Sequence, residues 1–276
     1  LAATDELTLR AEIEHRVSNL WQSQSIAELA ALSDDLRKTR KRTISGLWQL
    51  SIVNSAVDSE IAAEAASDTL WETQLKEKQR WAQKYPSAPL VLMLPSRLLQ
   101  ARAWKVRGNE SAARVPPANM AEFRRLMLRA EESLKSVKAA AAVDPTWYEM
   151  SVSLATYLGR PPQVAETIFS EGISREPEYL QLFFVMSRRF DPRWGGSAQS
   201  LEAFINRALT RVPAKDVDAM YARIYWWVSD LAYFRQLADS SVNCDRLARG
   251  AKSVAQAYPD PWNFNNLAML MGEDRK

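Results

Sequence analysis

Few side chains in this 276-residue chain have the type and spacing for bond-making chemistry. The single histidine, His15, lies between Glu14 and Arg16, and the single cysteine is Cys244. One imidazole removes His-based zinc sites and any Ser-His-Asp triad built on a second His. His15 would titrate near neutrality as a lone general base, but its charged neighbours fit a solvated helix surface. One cysteine makes neither an intramolecular disulfide nor a Cys-rich metal centre. It suits a reducing cytosol and equally a disulfide-free periplasmic protein. The acid pairs Asp34-Asp35 and Glu131-Glu132 occupy adjacent helical positions, so their carboxylates diverge. A Walker A loop, Gly-x-Gly-x-x-Gly, His-Glu-x-x-His and Gly-x-Ser-x-Gly are all missing from the sequence. The expectation is a chain that is not an enzyme, with no catalytic residues, no metal and no cofactor.

Binding chemistry is better represented. Arg193-Trp194-Gly195-Gly196-Ser197 holds the only Gly-Gly pair, follows Asp191-Pro192 and precedes a new helical pattern. Adjacent glycines permit positive φ and close backbone approach, and Ser197 is placed to cap the helix that follows. One reading holds an anion or carboxylate at that helix N-terminus, assisted by Arg188, Arg189 or Arg193. The other is a long turn between repeats, with Trp194 plugging a groove and the arginines solvated. A second constellation is Arg37-Lys38-Thr39-Arg40-Lys41-Arg42, five basic residues in six. It could meet phosphates or an acidic partner, or it could end a helix where cations complement the macrodipole. With a net charge of only +3 and no interleaved aromatics, a nucleic-acid partner is not expected. Third, Tyr221, Tyr225, Trp226, Trp227, Tyr233 and Phe234 could line a groove or fill a core. Tyr221 and Tyr225 stand one helical turn apart, on one face, and Trp226 and Trp227 point in different directions.

The elements that must position these groups are helices. Eight glycines are few for this length, and 47% apolar with 25% charged residues is the composition of a folded globular protein. Ile13, Val17, Leu20 and Trp21 form a helical stripe, and Ile44, Leu47, Trp48 and Ile52 repeat it. No stretch alternates with period two, so the predicted fold class is all-α. Prolines 86, 145, 177, 213 and 259 each close a helical pattern. The spacings from Pro145 to Pro177 and on to Pro213, 32 and 36 residues, suit a helix-turn-helix repeat of about 34. Ala165, Phe169 and Pro177 look like second-helix positions of a tetratricopeptide repeat, with Gly172 where Ala is usual and Thr156 where an aromatic is usual. Ala208-Pro213 and Ala140-Pro145 fit the same frame. Antiparallel helix pairs stacked as a tetratricopeptide-like α-solenoid are therefore expected over 119–276. Long helices at about 5–23, 25–41, 43–66, 68–84 and 89–107 form an N-terminal layer over 1–107, and 108–118 reads as a loop. Repeats cannot bury their faces alone, which makes one continuous core the simpler arrangement.

From Phe169-Ser170-Glu171-Gly172 through Glu176-Pro177-Glu178-Tyr179 and Phe190 to Arg193-Trp194-Gly195-Gly196-Ser197 and Phe204, the chain resembles an uncharacterised bacterial family. That family is a domain of unknown function with a Trp-Gly-Gly-Ser hallmark, and the likeness covers about residues 145 to 265. It implies a bacterial source and a tetratricopeptide-like fold, and it implies no reaction. The expected function is binding of a protein partner, with Arg188, Arg189, Arg193, Trp194, Gly195, Gly196, Tyr221, Tyr225 and Trp226 as contact residues. One concrete form is an immunity protein that occludes a secreted bacterial toxin. The alternative is a small-molecule or anion-binding protein, or an enzyme, with its site near Arg193–Ser197. No apolar run approaches the ~20 residues of a membrane span. Opening on Leu1-Ala2-Ala3 without Met, the chain is expected to be a mature or trimmed form. The periplasm after leader removal is the expected compartment, with the cytoplasm as alternative.

Overall fold

The structure, a computed structural model, describes residues 5–229 and 240–273. Among these residues the fold is all-α, with fourteen α-helices and no β-strand. In chain order they are α1 Glu6–Gln22, α2 Ile26–Thr39, α3 Gln49–Ala66, α4 Trp71–Lys84, α5 Pro89–Arg107, α6 Pro117–Ser136 and α7 Lys138–Ala141. There follow α8 Pro145–Tyr157, α9 Pro162–Arg175, α10 Leu180–Arg188, α11 Ala198–Leu209, α12 Val217–Ser229, α13 Cys244–Ala257 and α14 Pro261–Glu273. Helices pack chiefly on sequence neighbours, as a helical-repeat fold requires.

Proline sets much of this phrasing. Pro89, Pro117, Pro145, Pro162 and Pro261 each stand at the first position of a helix, where a missing N–H costs nothing and φ is already helical. Asp144 caps α8 by accepting from the Thr146 amide at 2.9 Å. The expected helix over 43–66 begins later, at Gln49. Residues 42–47 instead form a tight turn in which Leu47 accepts from the Thr43 amide at 2.7 Å. Gly46 takes a φ of +92° there, which a continuous helix excludes. Ile44 and Leu47 therefore leave the helical stripe assigned to them with Ile52.

The chain gathers into two compact units. One comprises residues 10–41 and 48–160, the other residues 1–9, 42–47 and 161–276. In the first unit α5 is central, packed by α2, α3, α4 and α6, with Val91, Met93, Leu94 and Leu98 fully buried. Two cations sit inside this core with compensation. Arg97 donates to Asp58 at 2.5 Å and to Asn54, and Lys78 lies 2.8 Å from Glu64 between the rings of Trp21 and Trp81. In the second unit α12 is central, packed by α10, α11, α13 and α14. Ala165, Phe169 and Gly172 are buried as a second repeat helix demands, and Phe169 meets Phe183 and Phe204 edge-on at 5.4 and 5.3 Å.

Candidate functional site

The Arg193–Ser197 turn is built from its own residues. Asp191, 0% exposed, accepts from the Arg193 amide at 2.8 Å and from its guanidinium at 3.0 and 2.6 Å. Gly195 has a φ of +81°, and Gly196 presses on the backbone of Phe190: a Cβ added there would lie 2.1 Å from the Phe190 carbonyl oxygen. Phe190 in turn stacks on Phe204 of α11, ring centroids 4.9 Å apart. Ser197 caps α11 in a reciprocal box, accepting from the Ser200 amide at 3.1 Å while the Ser200 hydroxyl accepts from the Ser197 amide at 2.8 Å. The Ser197, Ser200 and Leu201 amides and the Arg193 side chain thus have partners within the turn and its capping box. Trp194 is half-buried, as are Arg188 and Arg189 at the end of α10. Desolvation lowers the Arg189 pKa, against the raising influence of Glu166.

The tyrosines lie one helix further on. Tyr221 and Tyr225 are both 0% exposed, and Glu202 of α11 accepts from Tyr221 at 3.2 Å and from Tyr225 at 2.5 Å. Tyr221 also accepts from the Asn243 amide at 2.8 Å, and the Arg246 guanidinium covers its ring at 4.4 Å. Burial, chiefly, pushes the Tyr221 phenol up to about 12 and the Tyr225 phenol higher still. Both rings therefore join α11 to α12 and present no face to solvent. Trp226 and Trp227 are half-buried; Trp227 stacks on Phe184 at 5.5 Å with Arg188 above it at 5.6 Å. Tyr233 and Phe234 lie outside the described residues. The structure therefore ties the Arg-Trp-Gly-Gly-Ser turn to the start of α11 and the tyrosines to Glu202 in the same helix.

An opening in this unit lies elsewhere, at a place that the sequence did not single out. An open cleft of about 270 Å³ is lined by Arg42 and Gly46 of the early turn, Pro177 and Glu178 between α9 and α10, Leu180 at the start of α10, Lys215 and Asp216 before α12, Met220 and Arg223 of α12, and Tyr258 at the end of α13. Arg223 is 6% exposed, donates to the Ser45 carbonyl at 2.5 Å and lies 5.4 Å over the Tyr258 ring. Among the described residues it has no carboxylate within salt-bridge distance. Desolvation, joined by repulsion from Arg42, lowers its pKa to about 10 against the influences of Tyr258 and Glu6, so it is charged at neutral pH. Arg42 donates to the Gly46 carbonyl at 2.9 Å and to the Glu178 carboxylate at 2.5 Å. Ser45 is held in place by Glu6, which accepts from its amide and hydroxyl at 2.8 Å, and its carbonyl also accepts from Asn263 at 3.2 Å. The legible signal was Arg223 itself, a lone charge in the otherwise apolar stretch from Ala219 to Val228.

Among the described residues no group of three or more His, Cys, Asp or Glu side chains is placed to hold a metal ion, and no helix is long and apolar enough to cross a membrane. No protein-family model matches the chain, and neither curated proteins nor solved structures gave a match.

Proposed function

We propose that this chain is a non-enzymatic helical-repeat protein that binds a protein partner through the unit built around α12. The observation that carries this reading is an open cleft lined by both polar and apolar side chains, in a unit that also carries exposed apolar side chains. Leu7, Ile44 and Phe264 of this unit are 60%, 37% and 45% exposed. Exposed apolar side chains beside polar recognition groups are the composition of a protein interface. A small-molecule site would instead enclose most of its ligand, whereas this cleft is open. The alternative centred on Arg193–Ser197 has less to recommend it, because that turn spends its cation on Asp191 and the Ser200 and Leu201 amides on Ser197.

An immunity protein held against a secreted bacterial toxin, acting in the periplasm, is the concrete form we favour, with the bacterial Trp-Gly-Gly-Ser family as its kin. Affinity capture tests the reading: the folded chain as bait in bacterial lysate, at low and high salt, with mass spectrometry of what is retained. A single stoichiometric protein that survives high salt is the expected result. Retention of nothing above background at either salt would count against a dedicated partner.

A further inference from the structure

We propose that the cleft floored by Arg223 is a carboxylate subsite, in which an acidic side chain of the partner docks between Arg223 and Arg42 with its apolar neighbours on Leu180, Val212 and Met220. This rests on the partner-binding reading and names the chemistry of the contact.

The first argument is the state of Arg223. A buried guanidinium ordinarily has a carboxylate partner, because desolvating the charge without one is costly. Arg97 in the other unit follows that rule, donating to Asp58. Arg223 is buried to a similar degree, yet it donates to one carbonyl and rests on one aromatic ring. It also lines an opening to solvent, the space a ligand would fill. The second argument is charge. Arg42, Arg223 and Lys215 outnumber Glu178 and Asp216 in the lining, which leaves a positive opening for an anion. The third is an internal precedent. Glu178, its side chain 49% exposed, already places a carboxylate on Arg42 at 2.5 Å, at one end of the cation pair. Among the described residues the Arg223 end has no such group. Leu180, Val212 and Met220 add an apolar wall, which favours a carboxylate carried on a peptide over a free inorganic anion.

The probes are fluorescein-labelled octapeptides with a central Glu or Asp flanked by Leu and Met, beside matched Gln and Asn peptides, with acetate and inorganic phosphate as free anions. Binding is read by fluorescence anisotropy on the full chain. The acidic peptides should bind about tenfold more tightly than their amide counterparts, as a charge-assisted contact implies. Arg42→Gln with Lys215→Gln should erase that preference. Arg42→Gln also removes the donor to Gly46, so Glu178→Gln is the companion variant. It frees Arg42 from its internal carboxylate and should tighten acidic-peptide binding by about threefold, a gain that misfolding does not mimic. Equal binding of acidic and amide peptides overturns the proposal, and so does an unchanged affinity in Glu178→Gln. Free phosphate competing as well as the peptides would mark a bare anion site and overturn it too. A partner captured equally by wild type and by the double variant refutes the subsite while leaving partner binding intact. Acid-selective peptide binding with no captured partner does the reverse.

Discussion

Gly195 and Gly196 are neighbours with opposite constraints, and replacing each by Ala separates them. At Gly195 the constraint is φ of +81° in open space: an added Cβ meets nothing within 4 Å. The left-handed conformation costs an L-residue about 1–2 kcal/mol, and the stiffer unfolded chain returns about 0.4–1 kcal/mol. Gly195→Ala should therefore destabilise by about 1 kcal/mol. At Gly196 the constraint is contact, with the Phe190 carbonyl oxygen, carbonyl carbon and Cα at 2.1, 2.2 and 2.3 Å from the new Cβ. Backbone cannot rotate away, so Phe190 must retreat by about 1 Å, enough to forfeit close packing. Overpacking of this kind costs about 1–3 kcal/mol, and loosening the Phe190–Phe204 stack about 0.5–1.5 kcal/mol more. Gly196→Ala should lose about 3 kcal/mol in all. Thermal unfolding followed by circular dichroism should show a Tm lower by about 6–12 °C for Gly196→Ala and by about 2–4 °C for Gly195→Ala. Equal shifts for the two variants would refute the contact argument. A loss of partner capture in Gly195→Ala without loss of stability would show instead that the turn itself is read by the partner.

Three further outcomes follow from the same reasoning. Lys78→Met removes the cation between Trp21, Trp81 and Glu64 and leaves that half-buried carboxylate with the Trp21 indole N–H but no cation; urea unfolding should show a loss of about 3 kcal/mol, and a neutral result would exclude a compensated pair. Tyr221 and Tyr225 stay protonated in the folded chain, so their contribution is present below pH 10, the ordinary phenol value, and is lost as pH rises toward the folded value of about 12 for Tyr221. Tyrosinate absorbance of the native protein should show these two of eight tyrosines titrating late, and Tyr221→Phe should flatten the alkaline fall in stability. Gly46→Ala meets both a φ of +92° and the Tyr258 ring, 2.7 Å from the new Cβ, and should cost about 1–2 kcal/mol from the dihedral alone. In a double-mutant cycle Tyr258→Ala should recover the ring contribution and leave the dihedral cost, with a coupling that denaturation measures.

The helices were legible because their determinants are local. Pro145 and Pro162 sit at first helical turns, and the helices before prolines 86, 177, 213 and 259 end within a few residues of them. Ser197 is a cap in the structure because its serine precedes a helical run, a relation visible over four residues. The exception at 43–66 has a reason of the same kind. Ile44, Leu47, Trp48 and Ile52 do keep helical spacing, but Gly46 adopts a positive φ beside the Tyr258 ring, a contact separated by more than two hundred positions.

The candidate site divides along that line. Sequence alone determined that the chain is helical, where most of its helices change, and that Arg193–Ser197 is a special turn. Those conclusions rest on periodicity, dihedral preference and residue count, which act over a few neighbouring positions. Tertiary structure alone decided that Tyr221 and Tyr225 are buried on Glu202, and that Arg42 and Arg223 share an opening. The Arg223–Ser45 hydrogen bond joins positions 178 residues apart. Local pattern carries no information at that range, because only packing brings the Ser45 carbonyl and the Tyr258 ring to Arg223.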